Sequence, residues 1–200
     1  MLNVKNAEMA DLEQIMKIYR YAQDYMIKSG NPTQWGHFYP DADLIKSDID
    51  KNACKVIYDK DGIHGVFSVF DGAEPNYKHI DGGNWLNEEP YLTIHRLAGD
   101  GQVHGLFPCA LNYCKKISLN IRVDTHADNK TMQRLIEKNG FIKCGTIYVK
   151  NGTARIAYQR TDFRAARFAS ISLNTTRSAA RSVSSSVDRH SDNWQEIVER

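Results

Sequence analysis

The chain has 200 residues and a mass of 22.8 kDa, with 42% hydrophobic and 25% charged residues, enough for one domain with a real core. Twenty-six basic side chains against 24 acidic ones leave a formal net charge of +2, which argues against the broadly basic surface of a nucleic-acid binder. No apolar run reaches the roughly 18 residues of a membrane span, and the opening MLNVKNAEMADLEQ lacks the basic-then-apolar order of a secretion signal, so a cytoplasmic protein with no membrane partner is expected.

Leu12, Ile15, Met16, Tyr19, Ala22 and Met26 recur at helical spacing, and Gly30 with Asn31-Pro32 stops the pattern, which predicts a first amphipathic helix. A shorter helix is predicted over 41–50, with Leu44, Ile45 and Ile49 as its apolar stripe. Two antiparallel strands, 53–58 and 63–70, flank the tight Asp61-Gly62 reversal. Residues 71–90 read as a long Gly-, Asn-, Asp- and Pro-rich loop carrying Tyr77 and Trp85. Those aromatics, like Trp35 with Gln34 and Tyr39 between the first helices, either line a ligand pocket or cover a core edge.

A strand over 91–98, a glycine-rich turn, a helix over 105–116, a strand over 120–125 and a helix over 129–139 follow. Strand, crossover helix and second strand imply a parallel pair. Strands 143–149 and 153–159 flank Asn151-Gly152, read as a type I′ hairpin. Near residue 160 the composition changes: every Gly, Pro, Tyr and Lys lies before it. The chain therefore divides into a domain at 1–160 and a Ser/Arg-rich extension at 161–200, expected to be disordered or weakly helical. Cys54, Cys109, Cys114 and Cys144 form no CxxC pair and read as reduced, packed residues, with no metal site at recognised ligand spacing.

The chemistry concentrates in Gly99-Asp100-Gly101-Gln102-Val103-His104-Gly105, between a strand and a helix. Such a turn exposes backbone N–H groups at a helix N-terminus, where the partial positive charge suits a pyrophosphate. Here the sequence resembles the GNAT family of acetyl-CoA-dependent N-acetyltransferases, whose signature is Q/R-x-x-G-x-G/A. Gln102-Val103-His104-Gly105-Leu106-Phe107 matches it except at Phe107, which replaces a small residue. The literal match Arg96 to Gly101 is set aside, because it would put the arginine inside the strand and start the helix before the turn has reversed. The later segments Arg122-Val123-Asp124-Thr125-His126, Asp128-Asn129 and Asn139-Gly140-Phe141 also look like the family's strand, asparagine-started helix and terminal Gly-Phe.

The resemblance implies an α/β GNAT fold, a mixed and mostly antiparallel sheet with a splayed parallel strand pair, flanked by helices. It further implies acetyl-CoA as co-substrate, held by Gln102, Val103, His104, Gly105 and Leu106 at the pyrophosphate and by Leu97, Ala98 and Asn129 along the pantetheine arm. The acceptor would be a primary amine of a small molecule or an exposed amino group of a peptide or protein. Oligomeric state is left open, a homodimer being one option.

Amine acetylation needs a base, and histidine is partly neutral near neutral pH. Strand alternation places Tyr91, Thr93, His95 and Leu97 on one face, and the resemblance implies a base drawn from this strand, so His95 is the candidate base, with a core histidine as the alternative reading. Glu89, with Glu88 and Glu74, is the rival carboxylate. By the resemblance, the tyrosine that serves many members as acid falls at Ile136; Tyr113, Tyr148 and Tyr158 are possible substitutes. Ile136 and Phe107 motivate the competing reading, a non-catalytic acyl-CoA-binding or protein-interaction module on the same fold.

Overall fold

A seven-stranded sheet in the order β1-β2-β3-β4-β5-β7-β6 organises the protein, seen in a computed structural model that describes residues 1–161. The strands are β1 (Asn3–Asn6), β2 (Cys54–Asp59), β3 (Gly62–Asp71), β4 (Leu92–Gly99), β5 (Ile121–Thr125), β6 (Ile142–Tyr148) and β7 (Ala154–Arg160). The helices are α1 (Leu12–Lys28), α2 (Ala42–Asp50), α3 (Leu106–Cys114) and α4 (Lys130–Lys138). The expected elements are all present, and β1 is added to them: four residues, Asn-Val-Lys-Asn, are too few and too polar to give a strand pattern. The expectation for the extension falls outside the described residues.

Two apolar layers cover the sheet. On one face Ile15, Ile18 and Tyr19 of α1 and Ile45 and Ile49 of α2 pack on Val56, Val66 and Ala98. On the other, Phe107, Ala110 and Leu111 of α3 and Ile136 of α4 pack on Ile57, Phe67, Leu92, Ile94 and Tyr158. Among the described residues no helix is long and apolar enough to cross a membrane. Cys54, Cys114 and Cys144 are buried and Cys109 is partly buried, all of them free thiols.

The parallel pair sets the site. β4 and β5 pair only at Leu92–Ile121 and Thr93–Arg122, and then part. On the far side of β4, Val66 opposes Ala98 while Ser68 opposes His95, so three steps on β4 span two on β3. This bulge is centred on Arg96, whose φ of 53° is one of only two positive values among the described non-glycine residues. A one-residue insertion reverses the side-chain alternation beyond it. His95 therefore stays on the α1/α2 face, whereas Leu97 joins the α3 layer, correcting the expectation that both share a face.

The β6–β7 hairpin also departs from expectation. Gly152 N–H donates to Val149 O at 2.7 Å and Val149 N–H to Thr153 O at 3.0 Å. Gly152 has φ 79°, while Asn151 is not among the positive-φ residues, so the loop is a three-residue turn with a left-handed glycine rather than type I′.

Candidate functional site

The parting of β4 and β5 opens a cavity of about 990 Å³ that runs from the glycine-rich turn to the β6–β7 loop. At one end the wall is main chain. Gly105 caps α3 in the left-handed conformation at φ 87°, and α3 begins at Leu106, so the structure places Gln102 to Leu106, not Arg96 to Gly101, at the helix start. The first N–H groups of a helix have no intrahelical acceptor, and the residues at this helix start, Gly105, Leu106 and Phe107, line the cavity. The turn sits close to the sheet because Gly65 and Gly99 lack side chains: a Cβ on Gly65 would lie 2.9 Å from Leu106 Cδ2, and one on Gly99 would collide with Leu106 Cδ1.

Phe107 answers the departure in the motif. Its ring is buried in the α3 layer, edge-on to Phe141 at 6.1 Å, so its bulk points away from the turn. Leu97, Ala98, Val103, His104, Gly105, Leu106 and Asn129 all line the cavity. Gln102 does not. Its N–H donates to Asp100 Oδ1 at 2.9 Å, and it lines a small separate hollow beside His64. Asn129 caps α4, accepting from Met132 N–H at 3.0 Å, while its amide donates to Gln34 Oε1 at 3.0 Å.

Asp100 is an acidic residue inside a turn suited to anions, and His64 offsets it. The His64 ring lies between two carboxylates, Nδ1 at 2.8 Å from Asp100 Oδ2 and Nε2 at 3.0 Å from Asp59 Oδ1. Donating to both requires the imidazolium, and the bond to Asp100, followed by that to Asp59, raises the His64 pKa against the desolvation that lowers it.

The other end of the cavity is built of side chains. His95 Nε2 lies 3.1 Å from Glu74 Oε2, and Glu74 Oε1 accepts from the Asn76 side chain at 2.7 Å. The His95 hydrogen bond holds the Glu74 carboxyl below its usual range, although half-burial opposes it. An ionised Glu74 accepts the Nε2 proton of a neutral imidazole and leaves Nδ1 with its lone pair. Phe70 at 5.8 Å and Tyr77 at 6.3 Å flank the ring. Next to this pair, Arg96 Nε reaches Asp48 Oδ2 at 3.1 Å, Ser68 donates to the same carboxylate at 2.7 Å, and Tyr77 donates to Asp124 Oδ2 at 2.8 Å.

Glu89 is not brought here: it is exposed ahead of β4, does not line the cavity, and its main chain holds Asn87 and Asn120. Of the three carboxylates considered, Glu74 is the one on the wall. Ile136 is fully buried in the α3 layer, so the family's tyrosine position is a core position. Tyr113, Tyr148 and Tyr158 do not line the cavity, and burial pushes Tyr158 up to about 12 while it donates to Glu137 at 3.1 Å. Tyr77 and Trp85 are core-edge covers rather than cavity residues. Arg122 lies between the Trp85 and Tyr91 rings at 4.0 and 3.9 Å and donates to Asn87 O at 2.7 Å, pinning the 71–90 loop to β5.

The sequence reading missed the Asp48–Arg96 pair and the place of Arg155 on the wall. No local signal marks them, because their partners lie on other elements: Asp48 on α2 and Arg96 on β4, Asp124 on β5 and Arg155 on β7. Among the described residues, no group of three or more His, Cys, Asp or Glu side chains is arranged to hold a metal ion.

No protein-family model matches the sequence, and no curated protein does. Solved structures do. A GNAT-family acetyltransferase from Streptococcus agalactiae superposes with a TM-score of 0.74 at 29% identity, covering 80% of this chain and 95% of that one. A Staphylococcus aureus structure gives 0.58 at 29% identity over 79% and 97%. A Salmonella typhimurium protein solved with its cofactor acetyl-CoA gives 0.53 at 14% identity over 80% and 94%. The chain has the GNAT fold, a mixed sheet with one parallel pair between layers of helices.

Proposed function

We propose that this GNAT-fold chain is an acetyl-CoA-dependent N-acetyltransferase acting on a primary amine. The observation that carries the reading is a single cavity that joins the glycine turn at the α3 N-terminus to the His95–Glu74 pair. The fit to the coenzyme rests on the same wall: helix-start amides without intrahelical acceptors, glycines that let the turn sit down on the sheet, and a bulged β4 whose Leu97 and Ala98 are no longer paired to β5. Val103, His104, Gly105 and Leu106 would hold the pyrophosphate through main-chain N–H groups. Leu97 and Ala98 would pair with the amide-bearing arm as an added strand does, with Asn129 at the far side.

Bound there, acetyl-CoA supplies an acetyl group activated as a thioester. The chain's part is to position the amine and take its proton. His95 is the base, accepting the proton at Nδ1 directly or through one water, while Glu74 fixes the tautomer and stabilises the imidazolium that forms. A thiol with an ordinary pKa of about 8.5 departs near neutral pH with little help, so a buried Ile136 at the tyrosine position does not stop transfer.

The test is calorimetry with acetyl-CoA followed by thiol release against a panel of amines. Binding with release supports transfer. Binding with no release from any amine identifies a coenzyme-binding module, and no binding overturns the reading.

A further inference from the structure

Most charged side chains on the cavity wall are occupied within the protein. Asp48 holds Arg96 and Ser68, Glu74 holds His95 and Asn76, and Asp124 takes the Tyr77 hydroxyl. Arg155 differs. It is 8% exposed, yet its hydrogen bond among the described residues is Nη1 to Ala154 O at 3.1 Å. Its Nε lies 4.0 Å from Asp124 Oδ1, an ion-pair distance too long for a hydrogen bond. A guanidinium carries five N–H donors, so on the cavity wall Arg155 has donors to spare beyond its bond to Ala154 among the described residues.

Burial lowers the Arg155 pKa more than nearby Asp124 raises it, the sign of a charge held at a desolvation cost. Such a group is stabilised when an oxyanion completes its donors, and a planar fork fits a carboxylate bidentately. Lys150, on the adjoining hairpin loop, lines the same wall. The place of Arg155 on the sheet sets it with His95 rather than with the α3 layer. Arg155 alternates with Ile156, which belongs to the α3 layer, so it lies on the face of His95, opposite the layer from which the glycine turn's helix packs. Arg155, Asp124, Tyr77 and His95 follow one another across that face.

We propose that Arg155 anchors an anionic group of the acceptor, so that the substrate is an amine that also carries a carboxylate, as an amino acid does. This rests on the acetyl-transfer reading above. The guanidinium binds the carboxylate, and the amine is thereby presented toward His95.

The experiment compares the common α-amino acids with their decarboxylated amines as acceptors for the native chain, Arg155→Met and Arg155→Lys. The native chain is expected to favour at least one amino acid over its amine by on the order of 100-fold in kcat/KM. Arg155→Met should erase that preference through KM, with the amines losing far less, and Arg155→Lys should restore part of it. Equal use of both classes by the native chain, or an equal loss for both in Arg155→Met, overturns the proposal. Calorimetry of the same amino acids without coenzyme gives a readout independent of transfer. Binding that Arg155→Met abolishes supports the anchor even if no acetyl group moves, and binding that is absent, or unchanged in Arg155→Met, rejects it.

Discussion

At the α3 end of the cavity the wall is main chain: amides of a glycine turn, a left-handed cap at Gly105, and two glycines that let Leu106 sit against β3 and β4. At the opposite end it is side chains drawn from separate elements, with Glu74 from the loop after β3, His95 and Arg96 from β4, Asp124 from β5 and Arg155 from β7. A backbone site tolerates many side chains but few changes of conformation. A side-chain site is the reverse, so substitutions should separate the two ends cleanly.

The largest effect is expected at the side-chain end. His95→Ala should lower the rate of thiol release by roughly 10²–10⁴-fold, the usual worth of a positioned base, with the acetyl-CoA affinity kept. A parallel loss of rate and coenzyme affinity would show that the two ends are not separable. At the backbone end, Gly105→Val forces a β-branched residue into φ 87° and should weaken acetyl-CoA binding by about 10-fold, read by calorimetry. Unchanged affinity would mean that the cap conformation does not set the amides.

A smaller effect is expected at His64, where a side chain supports the backbone end. Its folded-state pKa is raised, so the stabilisation it gives through Asp100 and Asp59 is complete below the ordinary histidine value of about 6.5 and is lost as pH rises through the folded value. The difference in melting temperature between the native chain and His64→Gln should therefore be larger at pH 6 than at pH 9. A difference that does not vary with pH would mean that the ring is not charged between its carboxylates.

The same contrast explains what could be read from the chain. Helical spacing from Leu12 to Met26 gave α1, and the strand–helix–strand order gave the parallel pair, because periodicity and crossover geometry are local or nearly so. The turn at 99–105 was legible for the same reason: glycine spacing ahead of a helix reports backbone conformation directly. Strand alternation placed His95 and Leu97 on one face and failed, since the bulge at Arg96 inserts a residue only where β4 meets β3. Glu74 could be named only as one of three carboxylates, and nothing in the sequence pairs a loop residue with a histidine 21 positions later.

The sequence by itself determined the layered α/β order, the glycine turn and the positions of Phe107 and Ile136 as departures from the motif. Tertiary structure decided what those departures mean, because burial of both side chains in the α3 layer depends on Phe141, Tyr158 and the strands around them. It also decided the side-chain wall of the cavity. Backbone conformation is encoded within a few neighbouring residues, whereas the distance between charged groups on β4, β5 and β7 is set by strand pairing, register and one bulge, none of which is local.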